Sequence, residues 1–314
     1  MNAIIVSAEV VLPLLILMTV GVIVRKTGLI EEETLSKANK LVFYIGLPCL
    51  CTKCLYESDL KSITDAGFPL FIAGGIFIFF LIAAFLVPKF IKDPPKRGVL
   101  IQAFSRTNDA IFGLTIAASL LPSNQMTAEI IALSISAPLF NILGVIAMEV
   151  SRGEKPDIKY ILRKIVTNPI IIGCVIGIII VLAEIKIPDI LYSPICTLSN
   201  MVTPVAFIII GSRIHFSAIK KDKVWIILVS LFRLFLIPGI MVAAAILLKF
   251  PSPAVIATMC TFGSPVGTST YSLSCELGGD DQLASELIAV THALAIISMF
   301  ILIVILKSYG GISI

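Results

Sequence analysis

Long apolar stretches separated by short polar segments dominate the chain. Ten of them have the length that an α-helix needs to cross the hydrocarbon core of a bilayer. The second is the least apolar, because Lys37, Asn39 and Lys40 lie in its first turns. The pattern predicts an all-α integral membrane protein with ten transmembrane helices, near residues 4–24, 35–55, 67–88, 97–120, 129–150, 164–183, 189–211, 224–248, 254–275 and 283–306.

Two of these spans contain a polar interruption. The ninth carries Thr261–Thr270, in which Pro265 has no N–H to donate, and Gly263 and Gly267 loosen the backbone. The fourth carries the polar stretch Ser105–Thr115. A bilayer tolerates broken backbone only where it is buried in protein or lines a watery cavity. The sequence therefore predicts that the fourth and ninth helices are discontinuous, each with two half-helices that meet at a polar gap.

The chain shows signs of an internal duplication. A shift of 156 positions lays the two polar interruptions on each other, with Ser105–Asp109 on Thr261–Pro265, and also lays Pro13 on Pro169, Gly21 on Gly177 and Pro48 on Pro204. Five helices in each copy is an odd number, so the second copy must enter the membrane inverted. We predict a first repeat at 1–150, a short linker at 151–163 and an inverted second repeat at 164–314.

Composition and charge place the chain in a membrane and orient it. Hydrophobic residues make up 58%, charged residues 14%, and the mean hydropathy is +1.04, which is more apolar surface than a soluble protein of 314 residues can bury. The net charge of +4 comes from short loops and does not indicate a nucleic-acid partner. By the positive-inside rule we expect a multi-pass cell-membrane protein with both termini outside and four basic loops in the cytoplasm, at 25–40, 89–97, 151–164 and 213–223.

The two interruptions are the candidate binding site. N-terminal ends of half-helices present free N–H groups and favour an anion, whereas C-terminal ends and unwound carbonyls favour a cation. Asn108 and Ser264 match under the shift and are the natural hydrogen-bonding residues. Thr107, Pro265 and Thr268 stand beside them. The alternative is that these polar groups only satisfy the broken backbone.

Four charged or titratable residues of the spans are candidates for function, because an unpaired charge within a membrane is costly. Arg106 stands three residues before Asp109, so it either pairs with that carboxylate or serves the substrate. Arg233 has no acidic neighbour in the sequence and is either a counter-charge for an anion or the partner of a distant acid. Asp109 and His292 are candidates for ion coupling by H⁺ or Na⁺, although His292 can equally be a hydrogen-bonded core histidine.

Signatures of soluble enzymes and metal sites are missing. There is no G-x-x-x-x-G-K-[ST], H-E-x-x-H or G-x-S-x-G motif, and only two histidines, His215 and His292. The C-x-C-x-x-C run of Cys49, Cys51 and Cys54 is interpreted as small buried residues of a membrane helix. We therefore expect no catalysis, no metal and no cofactor beyond a coupling ion.

The pattern of prolines resembles a known family. Its marks are Leu47-Pro48 in the second span, Asn168-Pro169 opening the sixth, Pro204 with Ile208–Gly211 in the seventh, Ile237-Pro238 in the eighth and Pro265 in the ninth. In this order they resemble the auxin efflux carrier family, in the form of its shorter bacterial members, often described as malonate or malate permeases. The family commonly has a proline in each broken helix, but the matched position in the fourth span is Asp109.

The resemblance implies a ten-helix fold like that of sodium/proton antiporters, in which the discontinuous fourth and ninth helices cross at the substrate site. It also implies a division of labour and a function. Helices one, two, six and seven would form a scaffold that permits a homodimer, and helices three to five and eight to ten a moving transport domain. We expect a secondary active or facilitative transporter of a small mono- or dicarboxylate, working by elevator-type alternating access. Half-helix N-termini, Asn108 and Ser264 would hold the carboxylate, and Arg106 or Arg233 would supply positive charge. The alternatives are a sodium/proton antiporter that uses Asp109, and a membrane receptor that binds a ligand without moving it.

Overall fold

A computed structural model describes residues 3–57, 67–152, 159, 163, 166–212 and 222–308. Most of the predicted linker, most of the basic loop at 213–223, Lys61 and His215 lie outside these residues. Fifteen α-helices dominate the described part: α1 (Ala3–Lys26), α2 (Glu32–Leu41), α3 (Leu47–Glu57), α4 (Gly67–Phe90), α5 (Pro94–Ser105), α6 (Leu114–Leu120), α7 (Thr127–Arg152), α8 (Pro169–Leu182), α9 (Asp189–Asn200), α10 (Val202–Ser212), α11 (Lys223–Leu231), α12 (Ile237–Leu247), α13 (Ser252–Gly263), α14 (Ser269–Leu277) and α15 (Asp281–Ser308).

Several of these helices run on into one another through a turn of π-helix. Val42–Gly46 joins α2 to α3, Asp109–Gly113 leads into α6, and Phe232–Leu236 joins α11 to α12. A π-turn widens the helix locally and frees backbone groups, and such turns are frequent at functional sites. Two of the three carry a charged residue inside the protein, Asp109 and Arg233.

The expected all-helical class is confirmed for the described residues, where five helical stretches are long and apolar enough to cross a membrane. They are Gly67–Phe90, Thr127–Arg152, Asp189–Ser212, Lys223–Leu247 and Asp281–Ser308. Shorter apolar helices cover Asp109–Leu120, Pro169–Leu182 and Ser252–Gly263. Ten crossings and two inverted repeats stay predictions.

Glycines allow one set of helices to pack with their backbones in contact. Gly21 of α1 faces the carbonyl of Ile208, and Gly211 of α10 faces the carbonyl of Met18. A Cβ atom at either glycine would lie 2.0 Å from that carbonyl oxygen. Close approach through small residues is how helices associate in lipid, where the hydrophobic effect gives no drive. The α3–α8 contact is built in the same way around Gly173.

The apolar interior divides into two main clusters. One lies wholly among α4, α5, α7, α11, α12, α13 and α15, and includes Phe68, Phe140 and Phe262. The other joins α1, α3, α8 and α10 to the inner faces of α6, α7, α12, α13 and α15. Helix α2 packs on α10 and α9 packs on α3, so α1–α3 and α8–α10 form a first set. Helix α14 packs on α7 and α15, so α4–α7 and α11–α15 form a second set, which has an apolar core of its own.

Substitution of Gly211 tests the close contact between α1 and α10. In Gly211→Ala the new Cβ would meet the Met18 carbonyl oxygen at 2.0 Å, so the helices must separate. Overpacking of this kind costs about 1–3 kcal/mol. We expect a lower midpoint of thermal unfolding in detergent. The control is Gly74→Ala in α4, where a Cβ meets no atom within 4 Å. Equal midpoints for the two variants would contradict the described packing.

Candidate functional site

Both predicted interruptions are present. Helix α5 ends at Ser105, and the chain is extended at Arg106 (φ −98°, ψ 132°) before a helix begins again at Asp109. Helix α13 ends at Gly263, and the chain is extended at Ser264 (φ −65°, ψ 147°) before α14 begins. Proline and glycine account for the second break. The first has neither, and its run of Thr, Asn and Asp favours non-helical backbone instead.

The two interruptions lie against each other and pair as one antiparallel β-bridge between Thr107 and Val266. The N–H of Asn108 donates to the carbonyl of Pro265 at 2.8 Å. On the far side, the N–H of Val266 donates to the hydroxyl of Thr291 at 3.2 Å. Each break therefore satisfies backbone groups that the other leaves open. We call this pairing the crossing.

Gly267 is required by this approach. A Cβ atom at this position would lie 2.9 Å from the carbonyl oxygen of Thr107 and 3.3 Å from side-chain atoms of Arg106. Any larger residue would push the two extended segments apart. The contact between the two extended segments therefore requires glycine at position 267, in addition to any bend of its own chain.

Arg233 binds the C-terminal ends of both first half-helices, α5 and α13. Its side chain is 1% exposed. Its Nη1 donates to the carbonyl of Phe104 at 3.3 Å and its Nε to that of Ser264 at 3.4 Å. These carbonyls terminate α5 and α13, where the helix dipole favours a positive charge. Asp109 adds electrostatic attraction. Of the two alternatives from the sequence analysis, the structure offers the distant acid, Asp109, and two guanidinium donors bind backbone carbonyls; a role as counter-charge for an anion stays a prediction.

The second half-helices begin at the crossing with no side-chain cap. Asn108 precedes the helical segment that runs from Asp109 to Leu120, and Thr268 precedes α14. Neither side chain accepts a hydrogen bond from the first turn that follows it. The N-terminal ends of both half-helices therefore keep backbone donors and partial positive charge at the crossing.

A cleft lies beside these ends, between the first and second sets of helices. Its volume is about 20 Å³, room for about one water molecule. Three polar side chains, Asn39, Thr268 and His292, stand among apolar ones. The full lining is Asn39, Ile111, Ala206, Ile209, Ile210, Thr268, Ile288, Ala289 and His292.

His292 connects the cleft to the crossing. Its Nδ1 lies 2.8 Å from the carbonyl oxygen of Ile288, and its Nε2 lies 2.9 Å from Nδ2 of Asn108. A carbonyl only accepts, so Nδ1 carries the proton, and Nε2 accepts from the amide of Asn108. The two sequence candidates, 184 residues apart, thus form one hydrogen-bonded unit.

Arg106 does not form the ion pair with Asp109 that its spacing allowed. Its Nη2 donates to the Asn141 side chain at 2.9 Å, and Nε and Nη1 have no acceptor among the described residues. The side chain is 5% exposed. The reason is the break itself, because the i, i+3 geometry of a helix does not hold across extended backbone. Arg106 faces α7 and α14, whereas Asp109 faces α7 and α13.

Asp109 meets a second carboxyl that sequence reasoning missed. Its Oδ2 accepts a hydrogen bond from Ser136 at 2.7 Å, and the Glu129 carboxyl lies within hydrogen-bonding reach. Glu129 is 0% exposed. It stands at the start of the fifth predicted span, where an acidic residue ordinarily faces water. No signal in the sequence brings it to Asp109, because only the packing of α7 on the crossing does so.

Ser264 lies in the crossing but points away from the cleft. Its hydroxyl donates to the carbonyl of Cys260 in its own helix, and the residue is 0% exposed. Among the predicted site residues, Thr268 and His292 line the cleft, and Asn108 reaches it through His292. Thr107, Pro265, Arg106 and Arg233 surround the crossing.

Comparisons with known proteins agree with a transporter. A family model described as membrane transport protein matches residues 6–303. An uncharacterized transporter of Methanothermobacter thermautotrophicus is 24% identical over 294 residues, 93% of this chain and 96% of the relative. An uncharacterized transporter of Methanocaldococcus jannaschii is 26% identical over 242 residues, 74% of this chain and 76% of the relative. With its apolar helices, the chain is a multi-pass membrane protein that belongs to the membrane transport protein family, and the resemblance to the auxin efflux carriers is confirmed.

Proposed function

We propose that the protein is a secondary active or facilitative transporter of a small organic anion, a mono- or dicarboxylate, which binds at the crossing and moves by an elevator-type shift. The observation that carries this proposal is the meeting of two interrupted helices whose uncapped N-terminal ends lie beside a cleft between two packed sets of helices. Such ends attract anions without a dedicated charged side chain.

The buried guanidinium of Arg106 supports an anionic ligand. A charge in the membrane interior is kept where it has a partner or a function. Only one of its nitrogens has an acceptor among the described residues. Two N–H groups of one guanidinium match the two oxygens of a carboxylate. A cation would gain nothing from these donors.

The size of the cleft supports alternating access. With room for about one water, the described state does not admit a carboxylate without movement. The cleft is bounded by α2 and α10 of the first set and by the crossing and α15 of the second. Since the second set has an apolar core of its own, it can shift as a body against the first. We take the first set as the scaffold and the second as the transport domain.

A sodium/proton antiporter is the second candidate, and the Asp109–Glu129 contact favours it. It needs a pair of titratable groups, which the crossing provides. An antiporter mechanism gives no role to the open donors of Arg106.

A receptor that binds the same anion without moving it is the remaining alternative. Uptake into proteoliposomes distinguishes it from a transporter, since only a transporter accumulates the ligand or exchanges it.

The Asn108→Ala variant tests the binding site. Loss of the amide removes a hydrogen bond to a charged ligand worth about 1.5–3 kcal/mol, which is roughly a 10- to 150-fold loss of affinity. We expect the thermal stabilisation given by malonate, malate or a monocarboxylate to disappear while the unliganded protein still folds. The control is Asn200→Ala, since Asn200 is exposed and bonded to Lys53 far from the crossing. Full stabilisation of Asn108→Ala would contradict the assignment.

A cross-link between the two sets tests the elevator movement. The thiol of Cys174 in α8 lies within hydrogen-bonding reach of Ser134 in α7 and of Cys51 in α3. In Ser134→Cys, made with Cys51→Ser, mercuric ion should bridge scaffold to transport domain and stop uptake. In the unaltered chain the bridge from Cys51 to Cys174 stays within the scaffold and should leave uptake largely intact. Uptake by the bridged Ser134→Cys protein would show that the sets do not slide there.

A further inference from the structure

Two carboxyl groups share one buried site behind the crossing. Glu129 on α7 and Asp109 at the start of the second half-helix are 0% and 1% exposed. Their carboxyls are within hydrogen-bonding reach of each other. Ser136 donates to Oδ2 of Asp109, and the hydroxyl of Thr261 is the other described donor beside that carboxyl, whereas both oxygens of Glu129 lack a donor among the described residues.

The groups around the carboxyls of Asp109 and Glu129 leave room for one proton between them. The hydroxyl of Thr261 on α13 faces Asp109, is 0% exposed and has no other described partner. The other groups that titrate or carry charge here are Cys260 on α13 and Arg233 on the π-turn. Among the described residues, Arg233 is the one positive charge that acts on Asp109, and none acts on Glu129 directly.

Two touching carboxyls inside a protein ionise together only at a cost in free energy, so the pair holds one proton readily and releases it when the surroundings change. A second negative charge would meet repulsion at contact distance and would lose its hydration, whereas one proton held between the oxygens removes both penalties. With that proton, one carboxylate faces the charge of Arg233. The open oxygens of Glu129 and Asp109 are then donor and acceptor of the same hydrogen bond.

We propose that Asp109 and Glu129 carry one proton together with the anion, so that the protein is a proton–anion symporter. This inference rests on the proposed anion transport and names the ion that drives it. In the protonated state the two arginines outnumber the single carboxylate by one charge, and a bound carboxylate neutralises the excess. In the deprotonated state the four side chains are already neutral, and a carboxylate would bring an unbalanced negative charge into the membrane. Anion and proton therefore favour each other's binding.

The geometry favours a proton over a sodium ion. Oδ1 of Asp109 lies close to Gly113, because a Cβ atom added to that glycine would lie 2.4 Å from this oxygen. The cleft includes neither carboxyl in its lining. A metal ion needs several oxygens arranged around a space at more than 2 Å from each, whereas a shared proton needs only two oxygens in contact.

Uptake of [¹⁴C]malonate into proteoliposomes tests the inference, with the membrane potential clamped at zero by potassium and valinomycin. Counterflow into malonate-loaded vesicles at equal pH measures anion transport alone. Accumulation into empty vesicles, with the outside one pH unit more acidic than the inside, measures coupling, and protein-free vesicles give the passive background. For one proton per anion we expect accumulation up to about 10-fold above the equal-pH value.

Glu129→Gln separates coupling from folding. The amide can donate to Asp109 as the protonated carboxyl does but cannot release a proton. We expect the pH-driven accumulation to fall to the equal-pH value and counterflow to lose its dependence on pH. The matched control is Glu286→Gln, a buried carboxyl that accepts from Gln282 at 3.0 Å and should keep full accumulation. A melting midpoint near that of the unaltered protein establishes that Glu129→Gln is folded.

The outcomes distinguish the two proposals. Counterflow without any pH-driven accumulation, or accumulation driven by a sodium gradient alone, would overturn proton coupling and leave anion transport standing. Coupling that survives in Glu129→Gln would overturn the role of the pair. Absence of malonate counterflow in the unaltered protein would contradict dicarboxylate transport and the symport together.

Discussion

The backbone pairing at the crossing is the constraint on which the site depends. A helix that breaks within a membrane exposes N–H and C=O groups that no lipid can satisfy, and each such group costs several kcal/mol. Here the bond from Asn108 to Pro265, the bridge of Thr107 to Val266 and the donors of Arg233 satisfy groups on both sides. Neither break is stable alone, so the two must meet, and their meeting fixes where four half-helix ends lie.

The charges follow from that arrangement. C-terminal ends attract a cation, and Arg233 occupies them. N-terminal ends repel cations and favour an anion, and no protein carboxylate fills that place among the described residues, because Asp109 turns to Glu129 and Ser136. The protein itself thus provides the charge that the C-terminal ends attract, whereas the N-terminal ends lie beside the cleft. This asymmetry fits the anion carrier that we propose, whereas a purely structural pairing would not require it.

Sequence patterns predicted the helical class and both interruptions for physical reasons. Pro265 and two glycines mark the break in the ninth span, and the polar stretch Ser105–Thr115 marks the break in the fourth, which has no proline; the shift of 156 residues matches the two. Side-chain directions were not predictable in the same way. The expected Arg106–Asp109 pair assumed helical spacing across a segment that is extended. Glu129 was missed because its burial arises from the packing of distant helices, not from its neighbours in the chain.

The residue that departs from the family pattern gives the first break a different character from the second. Pro265 removes a backbone donor covalently, so the break at α13 does not depend on conditions. At the matched position Asp109 has an N–H and a carboxyl, and its place is held by Ser136, Glu129 and the charge of Arg233. Those contacts change with the number of protons on the two carboxyls. A break fixed by proline does not depend on pH, whereas one whose side-chain contacts include two carboxyls would respond to a proton that they share, as we propose. The half-helix that follows forms one wall of the cleft through Ile111. In the symport that we propose, Asp109 in the place of a proline therefore connects the protonation of the interior to the shape of the proposed anion site.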